Sequence, residues 1–208
     1  MPSTDHTRRR RWRSAAIVAG LLWSGAAYAE EAGLVVRING APTVERAGKT
    51  TPVHRGDVVS TGDTIDTDEG AKVKILLADD SVLAIGPRSH VAVHDFLLTP
   101  QSRTVRLEVL AGRFKIAIAK FFGGTTNYVV RTPTAVAGVR GTVLWGDTQL
   151  DAICALDGNV EVRPLNETSA PAQLATGECV HRMGSGKTAA FTPSPQDLAA
   201  YLREVTLD

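Results

Sequence analysis

The stretch Ala71-Lys72-Val73-Lys74-Ile75-Leu76-Leu77 decides the fold class of this chain. Apolar and polar residues alternate over most of it, and a period of two places one set of side chains on a core face and the other in water. The same alternation occurs in Val105-Arg106-Leu107-Glu108-Val109 and in Phe114-Lys115-Ile116-Ala117-Ile118. This pattern is typical of half-buried β-strands.

Turn signals separate such stretches along the chain. They include Asn39-Gly40, Thr61-Gly62-Asp63, Glu69-Gly70, Ala111-Gly112 and Asp157-Gly158. Glycine and Asx residues supply the positive φ or the side-chain hydrogen bonds that tight turns need. We therefore predict an all-β fold of many short strands, arranged as a two-sheet sandwich, a roll or a solenoid-like domain. The sequence does not decide among these three.

The end of the chain has a different period. Ser194 is a good N-cap, Pro195 suits the first helical position, and Asp197 favours the first turn. Apolar residues then recur at helical spacing, at Leu198, Tyr201, Leu202 and Val205. We predict a short C-terminal helix over Pro195 to Val205 whose apolar side docks on the β domain. A helix that binds a partner is the alternative.

The start of the chain predicts export. Arginines stand at five of the first 13 positions, an uncharged apolar stretch follows from Ser14 to Ala27, and Ala27-Tyr28-Ala29 is a small-x-small site. These are the three parts of a secretory signal peptide, and the apolar stretch is shorter than the roughly 20 residues that span a membrane. We predict a signal peptide over residues 1–29, cleaved after Ala29, and a periplasmic or secreted protein. A retained anchor is the alternative.

Composition limits the possible partners. Cleavage would lower Lys+Arg from 23 to 18 and Asp+Glu from 22 to 21, which leaves a net charge of −3 on 179 residues. Nucleic acid requires a basic surface for its phosphates, so this charge argues against a nucleic-acid partner. No second long apolar segment follows, and we expect no stable membrane span after cleavage. The predicted units are residues 1–29, a β domain over 30–192 and a helical tail over 193–208.

The chain has two cysteines, Cys154 and Cys179. An even number in an oxidising compartment predicts one disulfide, which would enclose 24 intervening residues and stabilise the fold by about 3 kcal/mol. Two separate buried thiols are the alternative. The pair has no nearby histidine at a spacing typical of a zinc site.

Three longer motifs carry a family resemblance: residues 56–65 (GDVVSTGDTI), 73–89 (VKILLADDSVLAIGPRS) and 130–142 (VRTPTAVAGVRGT). In this order they resemble the FecR domain family of bacterial envelope proteins, over about residues 35–183. The resemblance implies an all-β periplasmic fold. Asp80 departs from the family, which often has glycine before the serine.

The best-known members of that family are transmembrane regulators that couple an outer-membrane iron transporter to a cytoplasmic sigma factor. Here only 13 residues precede the apolar stretch, and no further domain follows the β region. We therefore expect a stand-alone exported member that does not pass a signal across the membrane by itself.

The sequence predicts no catalytic, cofactor or metal site. Gly184-Ser185-Gly186-Lys187-Thr188 resembles the end of a phosphate-binding loop, but His181 stands where that loop needs glycine. His90 and His94 would lie about 13 Å apart along a strand, too far for one ion to bridge them. The acidic residues of the turns match no calcium loop, and we expect them to be solvated: Asp57, Asp63, Asp66, Asp68 and Glu69.

Partner-binding candidates are Arg131 and Arg140, which bracket a run of small residues, and Phe121 and Phe122, in an expected loop. Arg140 could grip an anionic group, or it could bond backbone carbonyls while Gly138 and Gly141 allow close packing. We predict a non-enzymatic periplasmic FecR-like binding or signalling module that recognises a protein or an envelope polymer. A self-associating structural envelope protein and an enzyme acting on cell-wall or polysaccharide material are the alternatives.

Overall fold

A computed structural model describes residues 30–122, 124–166, 169–185 and 188–207, so the predicted signal peptide lies outside the described residues. Within these residues eighteen short strands and one α-helix follow each other, as the alternation and turn signals predicted. The all-β prediction is therefore confirmed. No helix within the described part of the chain is long and apolar enough to cross a membrane.

The first ten strands are β1 (Glu31–Asn39), β2 (Thr43–Arg46), β3 (Lys49–Pro52), β4 (Val58–Ser60), β5 (Thr64–Thr67), β6 (Lys72–Leu77), β7 (Val82–Ile85), β8 (Ser89–Thr99), β9 (Ser102–Ala111) and β10 (Arg113–Ala117). The remaining elements are β11 (Thr125–Arg131), β12 (Ala135–Val139), β13 (Val143–Asp147), β14 (Ala152–Asp157), β15 (Val160–Pro164), β16 (Ala172–Leu174), β17 (Cys179–His181), a 3₁₀ turn (Met183–Ser185), β18 (Ala189–Phe191) and α1 (Pro195–Val205).

These strands form two nine-stranded sheets. Sheet A has the order β18-β17-β14-β13-β10-β7-β6-β1-β4, and sheet B has the order β16-β15-β12-β11-β9-β8-β5-β2-β3. The chain crosses back and forth between the sheets while it advances in one direction along both. Strands β9 and β11 pair in parallel. The architecture is thus an open two-sheet sandwich with a solenoid-like progression, and it combines two of the predicted alternatives.

The core lies between the sheets and follows the predicted period of two. Val73, Ile75 and Leu77 of β6 point inward and are buried, while Lys72, Lys74 and Leu76 point outward. Full burial of one such aliphatic side chain stabilises the fold by about 1.5–3 kcal/mol. The same alternation in β9 and β10 places their apolar residues in the same core.

Three aspartates of the described ranges are buried, and each one binds an arginine. Arg46 donates to both carboxylate oxygens of Asp63 at 2.6 Å, and Asp63 also accepts the Ser60 amide at 2.8 Å. The expectation of a solvated Asp63 was therefore wrong. Arg46 neutralises the carboxylate, and it lies 17 residues away in sequence. The other two pairs are Arg103 with Asp79 and Arg113 with Asp147.

Helix α1 forms where it was predicted and docks in cis. Its N-cap, Ser194, accepts the Asp197 amide at 3.2 Å. The ring of Tyr201 stacks on that of Trp145 with 4.6 Å between centroids, and Trp145 lies on the outer face of sheet A. At the other end of the helix the Lys72 ammonium donates to the Arg203 carbonyl at 2.8 Å. A cation at the negative end of a helix is favourable.

The predicted disulfide joins Cys154 of β14 to Cys179 of β17. The two residues lie directly opposite each other in the ladder of sheet A, and both are buried beneath α1. The disulfide therefore ties the edge strands of sheet A to its centre. An oxidising compartment permits such a bond.

Candidate functional site

The outer face of sheet B carries a groove around Gly138, in the middle of β12. The groove has a volume of about 450 Å³. We call it the Gly138 groove, and its lining comprises Asn127, Val129, Val136, Gly138, Val139, Arg140, Asn159, Glu161, Arg163 and Gln173. It lies at the β16 edge of the sheet, because Gln173 is opposite Glu161, and Glu161 is opposite Gly138.

Gly138 forms the floor of this groove because it has no side chain. A Cβ built on it would meet nothing nearer than the Glu161 carbonyl oxygen at 4.0 Å, and Gly138 is not among the positive-φ glycines. The expectation that Gly138 allows close packing was therefore wrong. Gly141 differs, since its φ is +61° and a Cβ there would lie 3.1 Å from the Lys120 side chain. The fold needs a glycine at 141, whereas at 138 it leaves space.

Arg140 stands at the rim of the groove with its charge unused. The side chain is exposed, and within the described ranges it makes no hydrogen bond and no ion pair. The interpretation in which Arg140 bonds backbone carbonyls and holds a turn was therefore wrong. A free guanidinium beside an open floor is available to an anionic group.

Arg131 is in a different situation. Its guanidinium lies 3.3 Å from Glu108, which is opposite it in the parallel β9–β11 pair, and His94 contacts the same carboxylate at 2.6 Å. Arg131 is half-exposed but already neutralised. The structure thus separates the two predicted arginines into one that is paired and one that is free.

Glu161 is likewise neutralised within the groove. Arg163 donates to one carboxylate oxygen, and the Gln173 amide donates to the other at 2.9 Å. The hydrogen bond from Arg163, followed by that from Gln173, lowers the pKa of Glu161. The charge of Arg163 balances that of Glu161. Arg140 therefore gives the groove one excess positive charge.

The rest of the 130–142 motif maintains the fold. The Thr132 hydroxyl accepts the Ala135 amide at 3.1 Å, and Thr134 donates to Asp151, which also accepts the Gly184 amide at 2.8 Å. Ala135 and Ala137 are buried in the core. Gly138 and Arg140 thus face the groove without contributing a contact that the fold requires.

The two predicted phenylalanines have different roles. Phe121 is partly buried and lies over the guanidinium of Arg103, whose carbon is 5.4 Å from the ring centroid. Phe122 is 84% exposed. Phe121 therefore covers a buried ion pair, and Phe122 is the one that faces solvent.

A buried polar cluster under Phe121 was missed by the sequence reasoning. Arg103 donates to Asp79 at 2.8 Å, and both side chains are 1% exposed. Two guanidinium nitrogens of Arg103 and the hydroxyl of Tyr128 are buried without a hydrogen-bond partner among the described residues. Burial, followed by the nearby Asp79 carboxylate, raises the pKa of Tyr128 above its ordinary range. In the sequence, Asp79 stood out only as part of the 73–89 motif.

The histidines also have partners. His90 pairs with Asp66, and His94 pairs with Glu108. Both histidine side chains are partly exposed, and each contacts one carboxylate. In the described part of the chain no three metal-ligating side chains come together. The turn residues Gly184 and Ser185 end a 3₁₀ turn, and residues 186 and 187 lie outside the described ranges.

The fold is an all-β module with a polar groove on the outer face of sheet B. A family model described as FecR protein matches residues 63–162, which include the second and third sequence motifs. The predicted resemblance to the FecR family is therefore confirmed over these residues.

Two crystal structures of a proposed anti-sigma factor from Parabacteroides distasonis ATCC 8503 have a similar fold. Their TM-scores are 0.54 and 0.53, and each is 18% identical to this chain. The similarity covers 67% of this chain and 64% and 63% of theirs, so the chain spans less than two thirds of their length. At this identity the likeness concerns the fold. No curated protein matches the chain.

Proposed function

We propose that this protein is a non-enzymatic periplasmic signalling module that binds a partner protein through the Gly138 groove. The single observation that carries the proposal is the pairing of Gly138, which the packing does not require, with Arg140, whose charge no neighbour uses. Both lie in the 130–142 motif. The match of the FecR family model to residues 63–162 and the similarity to the anti-sigma factor structures support a signalling role.

The groove has the chemistry to hold an extended peptide with an acidic residue. Arg140 offers the charged contact, and the amides of Asn127, Asn159 and Gln173 offer hydrogen bonds. Val129 and Val136 give the groove an apolar part. The adjacent strand β16 ends sheet B, and an edge strand can add a partner strand by main-chain hydrogen bonds. An anionic envelope polymer would use Arg140 alone.

The test is photo-crosslinking in intact cells from a photoreactive residue at position 127. We expect one defined protein adduct, and we expect Gly138→Val and Arg140→Ala each to reduce it at least tenfold. Arg106→Ala is the matched control, because Arg106 is 56% exposed on the same sheet and pairs with Asp95. Equal adduct yield in all variants would contradict the proposal, and an adduct with glycan alone would replace the protein partner by a polymer.

The periplasmic location rests on the predicted signal peptide and on the disulfide beneath α1. Mass spectrometry of the chain from a periplasmic extract should give a first residue of Glu30. If the chain retains residues 1–29 and stays with the membrane fraction, the segment is an anchor and the predicted cleavage after Ala29 is wrong.

A further inference from the structure

A row of apolar side chains crosses the outer face of sheet A. The registers of six neighbouring strands place one residue of each in line: Val58, Leu34, Leu76, Val82, Ala117 and Val143. We call this line the apolar row. Leu34, Val58 and Leu76 are 40%, 41% and 40% exposed. Val82, Ala117 and Val143 are partly buried. Exposed apolar side chains that stand singly are ordinary on a protein surface, whereas three neighbouring ones at the end of a continuous apolar line are typical of a contact surface.

The apolar row ends in a groove that α1 has already begun to build. A cavity of about 300 Å³ lies between sheet A and the helix, and Val143 of the row lines it together with Leu198 and Leu202 of α1. Leu198 and Leu202 are only partly buried. The helix therefore covers the neighbouring part of the sheet, at Trp145 and Ala84, and presents apolar side chains to the open row beside it.

The dimensions of the row fit a second helix. Six strands give five spacings of about 4.8 Å, so the row is about 24 Å long. An α-helix of about 16 residues has this length. The row is one residue wide, which is narrow for the roughly 800 Å² per partner that a stable face-to-face dimer requires. A helix seated between the row and α1 contacts the row and the helix wall together.

Charge indicates which side of such a helix would face α1. Arg37 and Lys115 point from the outer face of sheet A in the neighbouring positions, opposite Lys74 and Trp145 respectively. Neither Arg37 nor Lys115 has an ion pair with any described residue. Acidic side chains along one flank of the incoming helix would pair with these two cations.

We propose that the apolar row is a docking surface for an amphipathic helix of about 16 residues, supplied by a partner protein and acidic on the flank that faces α1. The helix would lie beside α1 and complete a helical layer over sheet A. This surface is on the opposite sheet from the Gly138 groove. The experiments can therefore reject one of the two proposed binding sites without rejecting the other.

The test uses synthetic 16-residue helical peptides with leucines at positions i, i+4, i+7 and i+11. One peptide carries glutamates on one flank, and the other carries lysines there. Binding of each to the full chain is followed by fluorescence anisotropy. We expect the glutamate peptide to bind saturably and the lysine peptide to bind at least threefold more weakly. The double variant Leu34→Asp with Leu76→Asp should weaken binding of the glutamate peptide at least tenfold.

The control is Leu97→Asp with Leu110→Asp, two leucines of sheet B that are 54% and 44% exposed. It should leave the affinity within twofold of wild type. Absence of saturable binding, or equal weakening by both double variants, would overturn the proposal. Sedimentation provides the remaining outcome: a wild-type dimer that Leu34→Asp with Leu76→Asp dissociates would make the occupant a second copy of this chain.

Discussion

The guanidinium of Arg103 donates to the carboxylate of Asp79 at 2.8 Å, and the two side chains are each 1% exposed. The pair joins the turn after β6 in sheet A to β9 in sheet B. Arg103 also donates to the Ala119 carbonyl at 2.9 Å, and Ser81 donates to Asp79 at 2.8 Å. The two sheets are therefore linked at this end of the sandwich by a buried polar contact.

Replacing Asp79 by alanine should destabilise the protein by about 3–5 kcal/mol, because it leaves the Arg103 charge buried without a counter-ion. Asp95→Ala is the matched control: it breaks the exposed pair with Arg106 and should lower the free energy of unfolding by less than about 1 kcal/mol. Urea unfolding measures both. Equal losses in the two variants would contradict a buried role for the Arg103–Asp79 pair.

Tyr128 should stay protonated in the folded protein when the solution is alkaline. Burial raises its pKa, so the folded state holds the phenolic proton more tightly than the unfolded chain. The contribution of this proton to the free energy of unfolding is fully present below the ordinary phenol pKa of about 10, and it is lost as pH rises above that value. Wild type and Tyr128→Phe should show the same absorbance change at 295 nm until the chain unfolds. A phenolate signal from Tyr128 in the folded protein would show that the group is solvated.

Removing the disulfide with Cys154→Ser and Cys179→Ser should lower the free energy of unfolding by about 3 kcal/mol, because the bond closes a loop with a sequence separation of 25. Wild type and variant are compared by urea unfolding without reductant. Both cysteines are at most 1% exposed, so mild reductant should leave the folded wild type unchanged. A loss below about 0.5 kcal/mol would show that strand pairing alone holds β17.

Asp80 has a φ of +65°, in the left-handed region that favours glycine. Its amide donates to the Leu77 carbonyl at 3.0 Å, so the turn between β6 and β7 forms without the family's usual glycine. Aspartate tolerates this conformation better than alanine does. We expect Asp80→Gly to stay within about 0.5 kcal/mol of wild type and Asp80→Ala to lose about 1 kcal/mol in thermal or urea unfolding. An Asp80→Ala variant as stable as wild type would show that the turn has relaxed.

Local patterns predicted the elements well. The alternation in residues 71–77 gave β6, and the cap and spacing of the tail gave α1 with its bounds from Pro195 to Val205. The disulfide followed from two cysteines in an expected oxidising compartment. All three depend on neighbouring residues or on composition, which a single sequence contains.

The features that depend on distant partners were not predictable. Asp63 and Asp79 are charged residues between strands. The arginines that pair with them in the fold lie 17 and 24 residues away in sequence. The sequence left open whether Arg140 holds a turn or stays available to an anionic group, and it stays available because Thr132 and Thr134 make the turn contacts instead. The openness above Gly138 arises from the register of three strands, and no local pattern encodes that register.

The most direct test of the Gly138 groove is the affinity of the purified crosslinked partner for Gly138→Val. Valine suits a strand, and the nearest atom to its Cβ would be 4.0 Å away, so the free energy of unfolding should match wild type within about 0.5 kcal/mol. We predict that the same variant binds the partner at least tenfold more weakly, as measured by isothermal titration calorimetry. A Gly138→Val protein that is as stable as wild type and binds the partner with wild-type affinity would contradict the proposed function.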